Sequence, residues 1–484
     1  MDLPANPWRR AIVILCATAL TAGAYFVSSG LHRVWWPVWI AAIPVLLLAP
    51  RLGGWQAFAV ALIARALAAL NFWSYLRQIF RYPLPLMLSI ILVPAILFAL
   101  AVVLYRMLVR KGRPWLAALA FPVAMVAGEY VFSLSRGPFL SSGYTQLGNL
   151  LVLQLATLTG VWGISFSVNL FPAGLSAMVS AAEKTRFRMA VALVGFYVCV
   201  LAYGAMRLLV TPRNSPSVVV GMVETHAGQD MFPHIPGTSM ALMRKYAAQV
   251  QPLAARGAEF VVFPEKSALI HDADVTEVDT LFEKAARDAH VQVLLGILLV
   301  TDHGQLNEAR LYSATGDIAS IYSKHHLVPS WEDKITPGTD LSVLAQPAGR
   351  IGIEICYDLD FREPARSYGE RATGVMLAPA WDQGVDVDAD WHGHFALMRG
   401  VEDGFSLVRD AKDGLLTASD DRGRILAEEP TRSDGALVTL LAAVPVRHDA
   451  TLYQNWGDWF AWLDMVALIA LLGLTSEIAR LWKS

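Results

Sequence analysis

The sequence predicts a polytopic α-helical membrane bundle of about eight spans joined to an α/β domain. Three observations predict it. The 484 residues are 55% hydrophobic and only 17% charged, with a mean hydropathy of +0.44, too apolar for an ordinary soluble protein. Apolar runs of about 20 residues, long enough to cross ~30 Å of hydrocarbon, crowd the N-terminal part and recur once at the end. Between about 214 and 450, short β-branched runs alternate with charged amphipathic segments, the texture of strands and covering helices.

The apolar runs lie at roughly 11–30, 35–50, 53–73, 85–109, 114–134, 150–180 and 188–210, with the last at 459–480. The expected organisation is a bundle of about seven helices over 1–213, a folded domain over 214–450 and a closing membrane helix within 451–484. The second run is short and interrupted by Pro37 and Pro44. Lys and Arg are retained on the cytoplasmic side of a membrane. Arg9 and Arg10, then Arg106, Arg110, Lys111 and Arg113, then Lys184, Arg186 and Arg188 all fall on one side. With the N-terminus inside, the 214–450 domain emerges outside, and Arg480 and Lys483 return to the cytoplasm. Arg77 and Arg81 break this pattern, so the count holds to about one span.

A net charge of -2 offers no electrostatic reason to expect nucleic-acid binding. Three cysteines cannot make a disulfide framework. Cys16 and Cys199 lie in apolar runs and are expected to pack as small hydrophobes.

Within the domain, Val218–Glu224 reads as a first strand, 236–256 as a helix, 259–264 as a strand and 275–289 as a second helix. Strand 292–300 follows, then a hairpin of 309–314 and 318–322 turning at Gly316. Strands 350–357, 374–379 and 405–408 and a helix over 391–403 complete the pattern. The expected result is a layered sandwich with helices outside.

Three strand ends carry chemistry. Cys356 closes the run Arg350-Ile-Gly-Ile-Glu-Ile-Cys-Tyr-Asp358, Glu265 ends Phe260-Val-Val-Phe-Pro-Glu265, and Lys324 lies in Tyr322-Ser-Lys324-His-His-Leu-Val-Pro329. Taken singly, a carboxylate after a strand is a solvated partner, a hairpin lysine faces water and a strand cysteine is core. Together they suit acyl transfer. A thiol with a pKa near ~8.5 needs a base as it attacks, and an ammonium with the backbone N–H of Tyr357 can stabilise the oxyanion by about 3–4 kcal/mol.

These motifs resemble the carbon–nitrogen hydrolase (nitrilase) superfamily, with its Glu-Lys-Cys triad, and within it the apolipoprotein N-acyltransferase family of bacterial membranes. Glu332 stands where that family has a supporting glutamate, and Arg399-Gly-Val-Glu402 followed by Arg409 resembles its Arg-x-x-Glu helix and next strand. Seven spans, an outer domain and one closing span also match its layout. Asp358 replaces its usual glutamate, Ser330–Pro337 differs from its loop, Ala378-Pro-Ala-Trp381 lacks its Asn-Asp, and Val408–Lys412 lacks its Asn-rich segment.

The resemblance implies an αββα sandwich of the nitrilase type on the periplasmic side of the bacterial inner membrane. It implies Glu265, Lys324 and Cys356 as catalytic residues, supported by Glu332 and Tyr357. The implied partners are a phospholipid acyl donor and a diacylated apolipoprotein acceptor; a monomer is expected because nothing in the sequence suggests otherwise. An acyl chain is costly to expose to water, about 0.8 kcal/mol per CH₂. Apolar loop residues are therefore expected to form substrate walls: Met231 and Phe232 in 226–240, Trp331 in 331–344, and Trp381 in 381–391.

No cofactor or metal is expected. Asp386-Val-Asp-Ala-Asp390 lacks the glycine and final glutamate of a calcium loop, and His392 and His394, two apart on a helix, do not share a face. Glu129, inside an apolar run, is read as a structural polar contact. Two other readings stay open: a membrane-tethered amidase or hydrolase, and a non-catalytic paralogue that binds lipid or lipoprotein.

Overall fold

A computed structural model describes residues 4–29, 34–210, 215–225, 238–382, 388–431 and 436–481. The chain divides into two compact units, one of Met1–Val210 with Trp456–Ser484 and one of Thr211–Asn455.

In the helical unit, six helices among the described residues are long and apolar enough to cross a membrane: Pro7–Ser28, Gly54–Phe72, Leu84–Arg110, Pro114–Arg136, Val161–Val179 and Glu183–Leu209. Two of the expected spans are corrected. The run at 35–50 is broken into Val38–Ala41, Ile43–Leu48 and Ala49–Arg51, because Pro44 and Pro50 each restart rather than continue a helix. The run at 150–180 begins as two single turns, and only Val161–Val179 is a long helix; between them Gly160 takes φ 63°, which ends the preceding turn.

Val161–Val179 is the central helix of the unit, buried along most of its length. Gly204 lets the last long helix close on the Leu151 carbonyl, where a Cβ would come to 2.0 Å. The C-terminal helix Trp459–Leu481 is tied in by indole N–H donors, Trp459 to the Leu158 carbonyl and Trp462 to the Tyr130 hydroxyl, both at 2.8 Å. Cys16 and Cys199 are exposed on this unit's outer surface and do not pack inside it.

Among its described residues the second unit has thirteen strands: β1 (Ser217–Thr225), β2 (Phe260–Val262), β3 (Leu269–His271), β4 (Gln292–Thr301), β5 (Gly304–Tyr312), β6 (Ile318–Ser323), β7 (Ser342–Gln346), β8 (Gly349–Ile353), β9 (Thr373–Trp381), β10 (Ser406–Lys412), β11 (Leu415–Ser419), β12 (Ile425–Pro430) and β13 (Leu437–Pro445). They form two sheets, β13-β1-β2-β4-β5-β6 with β3 beside β4, and β12-β11-β10-β9-β8-β7.

Side-chain alternation builds the layers. Val218, Val220 and Met222 of β1, Phe260 and Val262 around β2, and Val375 and Leu377 of β9 fill one core between the sheets. Their neighbours Val223, Val261 and Phe263 face a second core under the helices Thr238–Ala247, Val250–Ala255 and Asp272–Ala289. Met376 and Ala378 face a third, under Ala365–Glu370 and Leu397–Asp403. This is the αββα sandwich of the nitrilase type.

Strands β1, β2 and β4 run parallel, as do β8, β9 and β10. Their C-terminal ends deliver Glu265, Cys356, Trp381 and Lys412 into the place where open α/β sheets bind ligands. The expected hairpin is β5 and β6, with Gly316 at φ 87° in its turn.

Candidate active site

Cys356 does not close a strand, which corrects the reading from sequence. β8 ends at Ile353, and Cys356 opens a tight 3₁₀ turn with φ at 47°, a left-handed conformation that a side chain rarely adopts. The turn lifts the sulfur off the sheet and is held from both ends. The Asp358 N–H donates to the Ile355 carbonyl at 3.0 Å, and the Cys356 Sγ lies 3.6 Å from the Trp381 carbonyl.

Glu265, Lys324 and Glu332 come together in the interior, each no more than 2% exposed. Lys324 Nζ donates to Glu265 Oε1 and lies equally close to Glu332 Oε2, both at 2.9 Å. Two residues of the cluster were not read from the sequence. Asn307, on β5, donates to Glu265 Oε1 at 2.6 Å and to Glu332 Oε1 at 3.2 Å. Lys266 reaches Glu332 Oε1 at 2.5 Å and Glu265 Oε1 at 3.5 Å. Its φ of 47° was not legible, though its place directly after Glu265 was a signal. Glu332 is further fixed by the Val328 N–H at 2.8 Å.

Two ammoniums therefore face two carboxylates away from water, where unpaired charge is costly. Burial works against the Glu265 carboxylate, but Lys324, Lys266 and the donors on its oxygen win and hold it at about 2. Burial likewise disfavours the Lys324 ammonium, and the two glutamates overcome it, keeping it charged. The Cys356 thiol moves the other way. Burial first, then the Glu265 carboxylate, push it well above its ordinary range, against the pull of Lys324 and Arg409. The resting site therefore holds a protonated thiol, an ionised Glu265 and a charged lysine.

Asp358 explains how this turn and the lysine loop are kept in register. Its buried carboxylate accepts from the Tyr322 hydroxyl at 2.8 Å, the Ile355 N–H at 3.1 Å, and the His325 and His326 N–H groups at 3.1 and 2.7 Å. The shorter aspartate is thus bonded on every side. His325 and His326 stack on Tyr322 and Phe361, and among the described residues no cluster could hold a metal.

Trp381 is 7% exposed at the end of β9. Its indole N–H donates to Asp413, and Lys412 and Lys266 lie over its ring at 4.5 and 5.4 Å. Beyond it, Asp382 pairs with Arg409 and with His392, which also reaches Asp360 at 3.1 Å. Trp331 is half-buried on the loop that carries Glu332. Tyr357 packs edge-on against Phe361. Met231 and Phe232 lie outside the described residues.

Comparison with known proteins adds two family matches. Residues 234–443 match the carbon-nitrogen hydrolase family, and residues 19–174 match the apolipoprotein N-acyltransferase N-terminal domain. The chain is 27% identical to an apolipoprotein N-acyltransferase of Geobacter metallireducens, across 95% of this chain and 94% of that one. It is 26% identical to one of Bradyrhizobium diazoefficiens, across 82% and 79%. Among solved structures, an amidase of the nitrilase superfamily from Nesterenkonia matches with a TM-score of 0.41 and 20% identity, over 51% of this chain and 96% of the amidase. A carbon-nitrogen hydrolase of Helicobacter pylori matches with 0.41 and 14%, over 48% and 90%.

Proposed function

This chain belongs to the apolipoprotein N-acyltransferase family, and on that premise we propose that it moves an acyl chain from a phospholipid, through a thioester on Cys356, to the α-amine of a diacylglyceryl-cysteine. The observation that carries the reading is the buried Glu265–Lys324–Glu332–Asn307 cluster, whose charges act on a thiol held on a left-handed turn.

The resting protonation states constrain the first step. Free ionisation of the thiol to Glu265 is uphill, since one group is held low and the other high. Proton transfer must therefore accompany attack. As Sγ bonds to the ester carbonyl carbon, its proton passes to Glu265. The Lys324 ammonium and the Tyr357 N–H stabilise the oxyanion. Glu265 then returns the proton to the glycerol oxygen as the C–O bond breaks and lysophospholipid leaves.

In the second half the acceptor amine attacks the thioester carbonyl. Its proton goes to Glu265 and on to the departing sulfur, which regenerates the thiol. Glu332 and Lys266 keep Lys324 and Glu265 in place without touching substrate. Trp331 and Trp381 form walls for the apolar substrates. In this reading the domain works as a monomer on the periplasmic side of the inner membrane.

The test is intact-mass analysis of the purified protein on phospholipid vesicles. One hydroxylamine-sensitive acyl adduct is expected, absent in Cys356→Ala, and a diacylated lipopeptide should discharge it. Discharge equally fast without lipopeptide would mean a hydrolase, and no adduct would end the proposal.

A further inference from the structure

The second half-reaction needs one more proton moved than Glu265 and Cys356 handle. An α-amine has a pKa of about 7.7–8.0, so at about pH 7 roughly nine in ten acceptor molecules carry an ammonium, which has no lone pair to attack with. Glu265, held at about 2, is a poor acceptor for a proton from a free ammonium, and Lys324 is kept charged by the two glutamates.

A third lysine stands in the same crevice. Lys412 ends β10 opposite Trp381 of β9. Its carbonyl accepts the Asp382 N–H at 2.9 Å, and the Trp381 carbonyl lies 3.6 Å from the Cys356 sulfur, so this lysine starts one strand over from the residue that meets the thiol. Its Nζ lies 4.5 Å from the centre of the Trp381 ring, and Lys266 Nζ lies 5.4 Å from the same ring. The two differ in their partners. Lys266 is paired with Glu332 and Glu265, whereas the Nζ of the buried Lys412 makes no hydrogen bond or ion pair among the described residues. Glu224 of β1 and Asp413 act on it by charge alone, from beyond ion-pair distance.

A buried amine without a carboxylate in contact, beside a second lysine, is poised to give up its proton. Burial is the largest influence and Lys266 adds to it, against the pull of Asp413, Glu224 and Glu265, and the balance leaves Lys412 below an ordinary lysine.

We propose that Lys412 is the base that takes the first proton from the acceptor's α-ammonium. One N–H bond of the ammonium breaks, its electron pair stays on the acceptor nitrogen, and the proton bonds to the lone pair of Lys412 Nζ. The neutral amine then attacks the thioester, and its second proton passes to Glu265 and on to the sulfur. Lys412 returns its proton to water once the product has left. The Trp381 ring face favours the charge on Lys412 after the transfer. The inference rests on the acceptor assigned above and supplies the step that makes its amine a nucleophile.

The test charges full-length protein with phospholipid to the acyl-enzyme, removes the excess donor, adds diacylated lipopeptide and follows loss of the adduct by intact mass from about pH 6 to about pH 10. In Lys412→Met, discharge at about pH 7 should be roughly tenfold slower than in the parent, because only the acceptor already neutral can react, and should recover as the pH passes about 8. Lys412→Arg keeps a cation that does not lose its proton, so it should match the methionine variant. Hydroxylamine, a nucleophile already neutral at about pH 7, should discharge all three at one rate, an outcome that damage to the fold would not give. Parallel pH profiles in the parent and Lys412→Met would overturn the inference, as would parental rates in Lys412→Arg, which would make Lys412 a fixed cation. Acetic anhydride labelling of the free protein, read by peptide mapping across pH, examines the amine without the reaction: Lys412 should titrate below the ~10.4 of a free lysine. An absent adduct in the parent would count against the reaction proposed above, whereas a Lys412 that titrates with the exposed lysines would overturn this inference alone.

Discussion

Replacing Lys266 by methionine removes one of the two ammoniums while keeping side-chain length. Lys266 lies 2.5 Å from Glu332 and 3.5 Å from Glu265, with its side chain 11% exposed. In the variant two buried carboxylates, sharing Asn307 as a donor, must be balanced by Lys324 alone. Breaking one partner of a buried pair costs about 3–5 kcal/mol, and the remaining donors on Glu332 place the effect at the lower end. Loss of a nearby opposite charge raises a carboxyl pKa by about 1–3 units. Because Glu265 is held at about 2, the parent should show no acid limb in the rate of acyl-enzyme formation above about pH 4. Lys266→Met should bring that limb up into the range of about pH 3–5. The assay is the rate of adduct formation by intact mass across pH, with thermal unfolding measured in parallel. An unshifted pH profile at a lowered Tm would refute the electrostatic role of Lys266 and leave it a structural one.

Asp358→Asn turns an acceptor of four hydrogen bonds into a group that presents N–H to donors. Thermal unfolding should register a loss of at least about 2 kcal/mol, and adduct formation should fall with it; Asp358→Glu, overpacked by one methylene, should cost about 1–3 kcal/mol. At Cys356 the φ of 47° favours glycine. Cys356→Gly is therefore expected to be at least as stable in chemical denaturation as Cys356→Ala, reversing the usual order of about 0.4–1 kcal/mol, and a clearly more stable alanine variant would deny the strained turn. The raised thiol pKa has a direct signature. Alkylation of Cys356 should be slow at neutral pH and keep accelerating above the titration range of a free thiol near ~8.5, as followed by peptide mapping.

Much of this architecture was legible because burial writes a period into the sequence. The alternation of Val218, Val220 and Met222 against Val223, and the helical spacing of Val278, Phe282 and Ala286, are consequences of which face is covered. Legibility failed where a signal was not periodic. Asn307 and Glu308 read as polar interruptions, so only the end of β5 was expected, although its full length runs from Gly304. Strands β3, β7, β11, β12 and β13 were not anticipated: β3 is only three residues long, and the turn signals that flank the others, such as Pro347-Ala-Gly349 and Asp413-Gly414, were not used. The turn at Cys356 was hidden for a different reason. Ile-Glu-Ile-Cys has strand propensity, and only its environment, with Asp358 bonded to Ile355, bends it. In the bundle, prolines foretold the break at 35–50, but Gly160 inside an apolar run did not stand out.

The proposed reaction depends on a covalent intermediate formed before the acceptor arrives. Rapid mixing of the protein with phospholipid in the absence of lipopeptide, with released lysophospholipid counted over time, tests this most directly. A burst of one lysophospholipid per protein is expected, lost in Cys356→Ala and followed by steady release only when lipopeptide is added. Release that begins only with lipopeptide, with no preceding burst, would contradict it.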